Sequence, residues 1–425
     1  MRTIQNPVPA DWPELTRRPE ADAATISRAV REILREVRER GDVAVREYNR
    51  RFDRFDADDF RVPAQEIQSA ESRIPSSLAS AMLLAAGNIQ RFHQARISPE
   101  VRLETQPGVT CWTKRVPLQR VGLYVPGGTA PLFSTVLMLG LPAALVGCPE
   151  VVLCTPPSPD GTIDPAILFA AKICGIHHVF RMGGAQAIGA MAYGTRSVPA
   201  VDKIFGPGNR FVTEAKNQVR LEGIAIDFPA GPSEVLIVAD DTANPAFIAA
   251  DLLSQAEHGA DSQVMLVSLD PGLPPQVQTE IDNQLQTLPR RDLARQALAN
   301  GWMITMTDKT QAMQFVNAYA PEHLIIQTAN PNQLADQVLH AGSVFLGAYS
   351  PEAVGDYASG TNHTLPTAGH ARIYGGLSCA SFVKEITFQE LTREGLINLG
   401  PAVEEMAEAE NLAGHRRAIA IRIPS

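Results

Sequence analysis

The sequence predicts an α/β protein with two domains built on parallel sheets, one inserted in the other. Three observations carry that prediction. Short apolar runs alternate with helical stretches of roughly ten to fifteen residues, the pattern of successive βαβ units. The alternation occurs in two separate blocks. Finally, a chain of 425 residues, 45% hydrophobic and 20% charged, is longer than one core usually organises and apolar enough to fill two.

Taken in order, residues 22–52 place Ile26, Val30, Ile33, Leu34, Val37, Val43, Val45 and Tyr48 in an apolar stripe among charges, which predicts a helical lead-in. Helical character continues to about Phe92, and residues 101–125 read as strands punctuated by Pro and Gly. The first block then runs GLYV, a helix over 131–148, VVLCT, a helix over 164–174, HVFRM, a helix after Gly184, KIF and a helix after Asn209. The second runs EVLIVAD, a helix over 245–258, QVMLVSL, WMITMT, a helix before Pro321, LIIQ, another helix and SVFLG. Beyond about Ser381 the chain reads as a charged helical tail, and no internal repeat stands out. The greasiest segment, 131–148, is interrupted by Ser134, Thr135 and Pro142, so it reads as a core helix and not as a membrane span.

Charge and cysteine usage exclude several partners. Lys plus Arg total 37 against 46 Asp plus Glu, and a net charge of -9 without a basic cluster repels nucleic acid and anionic membranes. The five cysteines, Cys111, Cys148, Cys154, Cys174 and Cys379, form an odd set with no CxxC pair, as expected of reduced thiols. The opening MRTIQNPVPADWPEL lacks the apolar stretch of a secretory signal, so a cytoplasmic location is expected.

In open parallel sheets, ligands collect beyond the carboxyl ends of the strands. Three loops there, VPGGTAP, MGGAQAIG and FGPGN, each follow a strand and open a helix, offering free N–H groups to an anionic ligand. None is a GxGxxG, and tight turning alone would also explain their glycines. In SQAEHG, Gln255 and His258 stand three apart on one face of a helix end, a spacing that suits two metal ligands or a histidine serving the helix dipole. APEHL sets Glu322 beside His323 at a strand start, a general-base combination or a solvated turn. Adjacent side chains usually diverge, so both can face one cleft only at an irregular turn. The aperiodic GDYASGTNHTLPTAGHAR carries Asp356, His363 and His370 and competes as a binding loop. Glu410 and His415 lie on what reads as a solvated tail helix.

Together these segments resemble the histidinol dehydrogenase family along nearly the whole chain, from ILREVRERGDVAVREYNRRFD through GLYVPGGTAPLFSTVLML, MGGAQAIGA, VDKIFGPGN, AGPSEVLIVAD, LLSQAEHG, YAPEHL and GDYASGTNHTLPT to AEAENLAGH. The resemblance implies Zn2+ held by Gln255, His258, Asp356 and His415, the last supplied by the partner subunit of a homodimer with shared active sites. It implies Glu322 and His323 as the acid/base pair, with Ser233, Gln255, His258, His323, Asp356, His363 and Glu410 contacting L-histidinol. Tyr124, Gln186 and Asn209, one in each Gly-rich loop or at its edge, would contact NAD. The implied fold is a pair of incomplete Rossmann-like domains: an arm at 1–20, a metal-bearing domain from 21–123 and 234–377, an inserted NAD-contacting domain at 124–233, and a dimer-exchanged helical tail at 378–425. Departures from the family pattern are slight: Asn411 stands where Gly is expected, and Cys379 and Ala380 fill a variable spot after GGLS. The implied reaction is a four-electron oxidation of L-histidinol to L-histidine through bound L-histidinaldehyde. His323 would take the alcohol proton and Glu322 would activate the water that attacks the aldehyde. A related dehydrogenase for another amino alcohol, a zinc hydrolase using Glu322, and a non-catalytic binding protein are the rival readings, and the hydrolase leaves the Gly-rich loops unexplained.

Overall fold

The computed structural model describes residues 1–18, 23–127, 131–229 and 231–423. Two parallel sheets organise it. The larger has six strands in the order Arg2–Gln5, Trp302–Thr305, Gln263–Ser268, Glu234–Ala239, His323–Gln327 and Ser343–Leu346. Glu234–Ala239 and its two neighbours are buried throughout, as strands covered on both faces must be. Their side chains alternate between two cores. Val235, Ile237 and Ala239 meet Ile248 and Leu252 of the helix Pro245–Ala256, whereas Leu236 and Val238 meet Phe315 and Val316 of the helix Lys309–Tyr319.

The second sheet has five strands in the order His178–Arg181, Glu150–Thr155, Arg120–Tyr124, Lys203–Phe205 and Ala225–Ile226. Numbered within its own block, each sheet has the order 3-2-1-4-5, half of a Rossmann arrangement, with Arg2–Gln5 added to the edge of the larger one. The expected pair of incomplete Rossmann-like domains is therefore present. The sequence shows this repeat only as two blocks of alternating strands and helices, and the shared strand order is visible in the topology.

The expected grouping of the lead-in helices is corrected. The stripe of the helix Ala23–Arg40, with Val30, Leu34 and Val37, buries against Ala187, Ile188 and Met191 beside the five-stranded sheet. Met82 and Ile89 of the helix Ser76–Ala95 join the core on that sheet's other face. Residues 23–95 thus complete the five-stranded domain, and of the segment before Arg120 only the first residues pair with the larger sheet. Periodicity had shown which face of each helix is apolar, but any apolar wall could have received it.

The tail is also corrected. It is not helical throughout, because Val383–Leu391 pairs antiparallel with Val109–Pro117, which pairs in turn with Arg102–Gln106. The helices Arg393–Ala409 and Ala413–Ala420 follow. The greasy segment forms the buried helix Phe133–Val146, and no helix among the described residues is long and apolar enough to cross a membrane.

Candidate active site

At the amino end of the six-stranded sheet, a cavity of about 780 Å³ gathers Ser233, Gln255, His258, Glu322, His323, Asp356 and His363. The supports are local. Asn244 caps the helix Pro245–Ala256 by accepting from the Ala246 N–H at 2.9 Å, and the helix delivers Gln255 in its last turn and His258 just beyond. The turn before His323 is irregular, as a shared cleft requires: Ala320 is left-handed at φ +54° and ends the preceding helix. Gly342 and Ser343 then pin the turn by donating to the carbonyls of Pro321 and Glu322, both at 2.9 Å. Glu322 lies before the strand begins, so the strand's alternation does not turn it away from His323, the first strand residue.

The pair is held by one peptide neighbour. Glu234 donates its N–H to Glu322 Oε2 at 2.8 Å, and its carbonyl oxygen lies 3.1 Å from His323 Nδ1. A carbonyl only accepts, so Nδ1 carries a proton. His323 Nε2 is buried without a hydrogen-bond partner, 3.6 Å from Asp356 Oδ1. Burial alone would depress the imidazole, but Glu352, Glu322 and Asp356 outweigh it and hold His323 well above the usual histidine range. Burial pushes Glu322 up to about 8, against the pull of His323 and the Glu234 N–H. Burial likewise opposes ionisation of Asp356, yet contact with His323 and the nearby His363 and His258 keep it below the usual carboxylate range. Burial holds both His258 and His363 below the usual range, which favours neutral rings. His363 is fixed between the Asp356 carbonyl, 2.9 Å from Nδ1, and Thr135 Oγ1, 3.2 Å from Nε2.

Glu352 escaped the sequence reading. It is 2% exposed, burial pushes its carboxyl well above the usual range, and it accepts from the Gln255 amide when that amide satisfies both its neighbours. Its signal was present: Glu352 and Asp356 stand four apart on the short helix Glu352–Tyr357 and share a face. Among the described residues, the cluster whose potential ligand atoms lie within 4.8 Å of one another is His323, Glu352 and Asp356, which shares only Asp356 with the expected zinc set.

A second cavity, of about 1290 Å³, lies at the carboxyl end of the five-stranded sheet and includes Tyr124, Gln186 and Asn209. Pro126, Asn209 and Phe211 line both cavities. Tyr124 ends its strand and accepts from the Gly184 N–H at 3.1 Å, while Asn209 caps the helix Arg210–Leu221 by accepting from Phe211 and Val212. Gln186 is fully buried, its nitrogen 3.4 Å from both Asn49 Oδ1 and Asp53 Oδ2. Asp53 was also missed; it comes from the lead-in, and burial pushes it up to about 6. Of the loop VPGGTAP, residues 128–130 lie outside the described residues, as do 19–20 of the expected arm. Glu410 and His415 are exposed on the tail, and neither is among the residues this chain brings to the cavities.

Two Rossmann-like halves meeting over a buried acid/base cluster define an α/β enzyme of the dehydrogenase kind. The histidinol dehydrogenase family profile matches residues 16–423. The chain is 52% identical to a histidinol dehydrogenase of Bacteroides thetaiotaomicron over 423 residues, covering 100% of this chain and 99% of the relative. It is 53% identical to one of Vibrio parahaemolyticus over 405 residues, 95% of this chain and 93% of the relative. The crystal structure of histidinol dehydrogenase from Elizabethkingia anophelis superposes with a TM-score of 0.97 at 48% identity, covering 99% of this chain and 98% of that one. The chain belongs to the histidinol dehydrogenase family and is an oxidoreductase acting on an alcohol and aldehyde.

Proposed function

We propose that the chain is a zinc-dependent, NAD-linked enzyme that oxidises L-histidinol to L-histidine in the cytoplasm. The observation that carries this reading is His323, with Nδ1 facing a carbonyl and Nε2 left without a partner beside Asp356, in a cavity that shares the lining residue Asn209 with a second one at a Rossmann-type switch point. Nε2 can receive the alcohol proton once His323 has given up the charge that the surrounding carboxylates favour. Glu322, the neighbouring carboxylate, can take a proton from water once it is ionised.

The donor chemistry fits a zinc ion. His258 favours its neutral form, Asp356 its ionised form, and Gln255 offers an amide oxygen on the same helix end. With His415 of the partner subunit these would be the ligands, which leaves His323 and Glu352 free for proton handling. Zinc, when bound, supplies the positive charge that anchors the substrate's nitrogens and offsets Asp356. NAD, when bound beside Tyr124, Gln186 and Asn209, supplies the hydride acceptor. His363 and Ser233 line the cavity where the imidazole and amine would lie, and Glu410 would reach it from the partner.

A homodimer suits the tail. Phe388, Met406, Leu412 and Ile421 are between 37% and 71% exposed, a run of apolar side chains that a second copy would cover. In domain terms, residues 1–18 and 231–377 would carry catalysis, and 23–229 would carry the cofactor cleft.

The deciding experiment is stoichiometry: two NADH per L-histidinol consumed, lost on chelation and regained with zinc. One NADH per substrate, or full turnover in rigorously demetallated enzyme, overturns the reading. Mixing His415→Ala with His258→Ala subunits should restore part of the activity, and no rescue despite proven subunit exchange rejects the shared site.

A further inference from the structure

Glu234 is an unusual residue to find at the first position of a central strand, because its carboxylate is 1% exposed. A buried carboxylate must be paired. Its partner is Arg18, 216 positions earlier in the chain, whose Nε donates to Oε1 at 2.9 Å and whose Nη2 donates to Oε2 at 3.0 Å. The same Nη2 donates to the Tyr319 carbonyl at 2.8 Å, Nη1 donates to the Thr16 carbonyl at 3.2 Å, and the guanidinium lies 3.9 Å over the Tyr319 ring. The Ala368 N–H adds a third hydrogen bond to that carboxylate by donating to Glu234 Oε1 at 3.0 Å.

These contacts surround the acid/base pair without touching it. Tyr319 ends the helix three residues before Glu322, and the backbone N–H and C=O of Glu234 are the groups that meet Glu322 and His323. We infer that Arg18 is a positioning residue: by clamping the Glu234 carboxylate to the Tyr319 carbonyl, it sets the Glu234 peptide groups that aim Glu322 and His323, a role that rests on the function proposed above. The planar fork matters, because it spans both carboxylate oxygens and the carbonyl at once, whereas an ammonium is a single point of charge. The segment that delivers Arg18 is itself anchored, by Arg2–Gln5 in the sheet and by buried Leu15 in the core. Arg18 can therefore hold the pair against a fixed support.

The test uses the full-length, zinc-loaded enzyme with Arg18→Lys and Arg18→Gln. A misaim on the order of 1 Å costs up to about 100-fold in rate. The expected result is a kcat for L-histidinol oxidation lowered roughly 10- to 100-fold, more for Gln than for Lys. The KM for NAD should stay within about twofold, because the cofactor cleft is built on the other sheet. The pH profile should move as well, since the His323 Nδ1 contact loosens. An unchanged kcat, or a loss of activity that only tracks the folded fraction while the pH profile holds, overturns the inference. If Arg18→Gln is too unstable to assay, Arg18→Lys decides by the same criteria. A crystal structure of either variant separates this claim from the functional one. Retention of the Glu234 contacts to Glu322 and His323 sinks the clamp even if the enzyme oxidises L-histidinol, and their loss supports it even if the substrate proves to be another alcohol.

Discussion

The two parallel sheets share one strand order, yet they place their cavities at opposite ends. The five-stranded sheet follows the usual rule, with Tyr124, Gln186 and Asn209 beyond the carboxyl ends of its strands. The six-stranded sheet gathers Ser233, Glu322 and His323 at the amino ends. Its carboxyl-end switch point is closed by Asp240, whose Oδ1 accepts from the Thr242 N–H at 3.1 Å and Oγ1 at 2.5 Å while Oδ2 accepts from the Ala329 N–H at 3.0 Å. Those three donors are therefore already used. Strand order supplies two equivalent scaffolds, and the loops decide which end of each is open.

Four substitutions can break or sharpen that contrast. The largest effect is expected at the amino end. His323→Asn should lower L-histidinol oxidation by about two to four powers of ten while leaving NAD binding intact. A loss of NAD affinity of comparable size in a titration would merge the two ends into one site.

Glu322→Gln should come next, costing about 100-fold or more in aldehyde oxidation and far less in alcohol oxidation. In the wild type, the aldehyde step should quicken as pH rises through about 8, because the carboxylate acts as a base only when ionised. The variant should lose that rise, and equal damage to both half-reactions would refute the division of labour.

Asp251, one helical turn before Gln255, tests a buried carboxylate behind the acid/base cluster. It accepts from the Gln327 amide at 2.9 Å, and burial pushes it up to about 7. Its folded pKa is raised above the unfolded one, so its contribution to stability is fully present below the unfolded carboxylate pKa and is lost as pH rises through about 7. Asp251→Asn should therefore gain thermal stability relative to wild type above pH 7, by at most about 4 kcal/mol, with little advantage near pH 4. Melting curves across pH check this, and a constant gap rejects the assignment.

The smallest effect is expected at Asp240→Ala. Removing the plug should cost about 1 kcal/mol of stability and leave kcat and the KM for NAD unchanged. New NAD binding by that variant, seen by calorimetry as a second site, would show that Asp240 alone keeps the larger sheet from acting as a cofactor domain.

Much of the candidate site was legible because its residues cluster in aperiodic or Gly-rich segments at element ends, where backbone groups are free for binding. The caps Asn244 and Asn209 mark helix starts by their own chemistry, and Asn244 also marks the helix that delivers Gln255. Glu352 was lost because it lies just ahead of the aperiodic GDYASGTNHTLPTAGHAR, in a stretch given no element, although its spacing from Asp356 is helical. Asp53 was lost because it closes an amphipathic run whose other charges are solvated; only the fold brings it to Gly183 and Gln186.

By itself the sequence determined the α/β class, the order of strands and helices, the apolar face of each helix and the family. All of these are written in short-range periodicity and in motifs a few residues long. Only the tertiary structure decided that the lead-in helices serve the five-stranded sheet, that Arg2–Gln5 extends the other, that the tail begins as a strand, and that Arg18 reaches Glu234. Those are pairings between groups far apart in the chain. An apolar stripe or a lone charge states that it must be covered or paired, and it does not state by what.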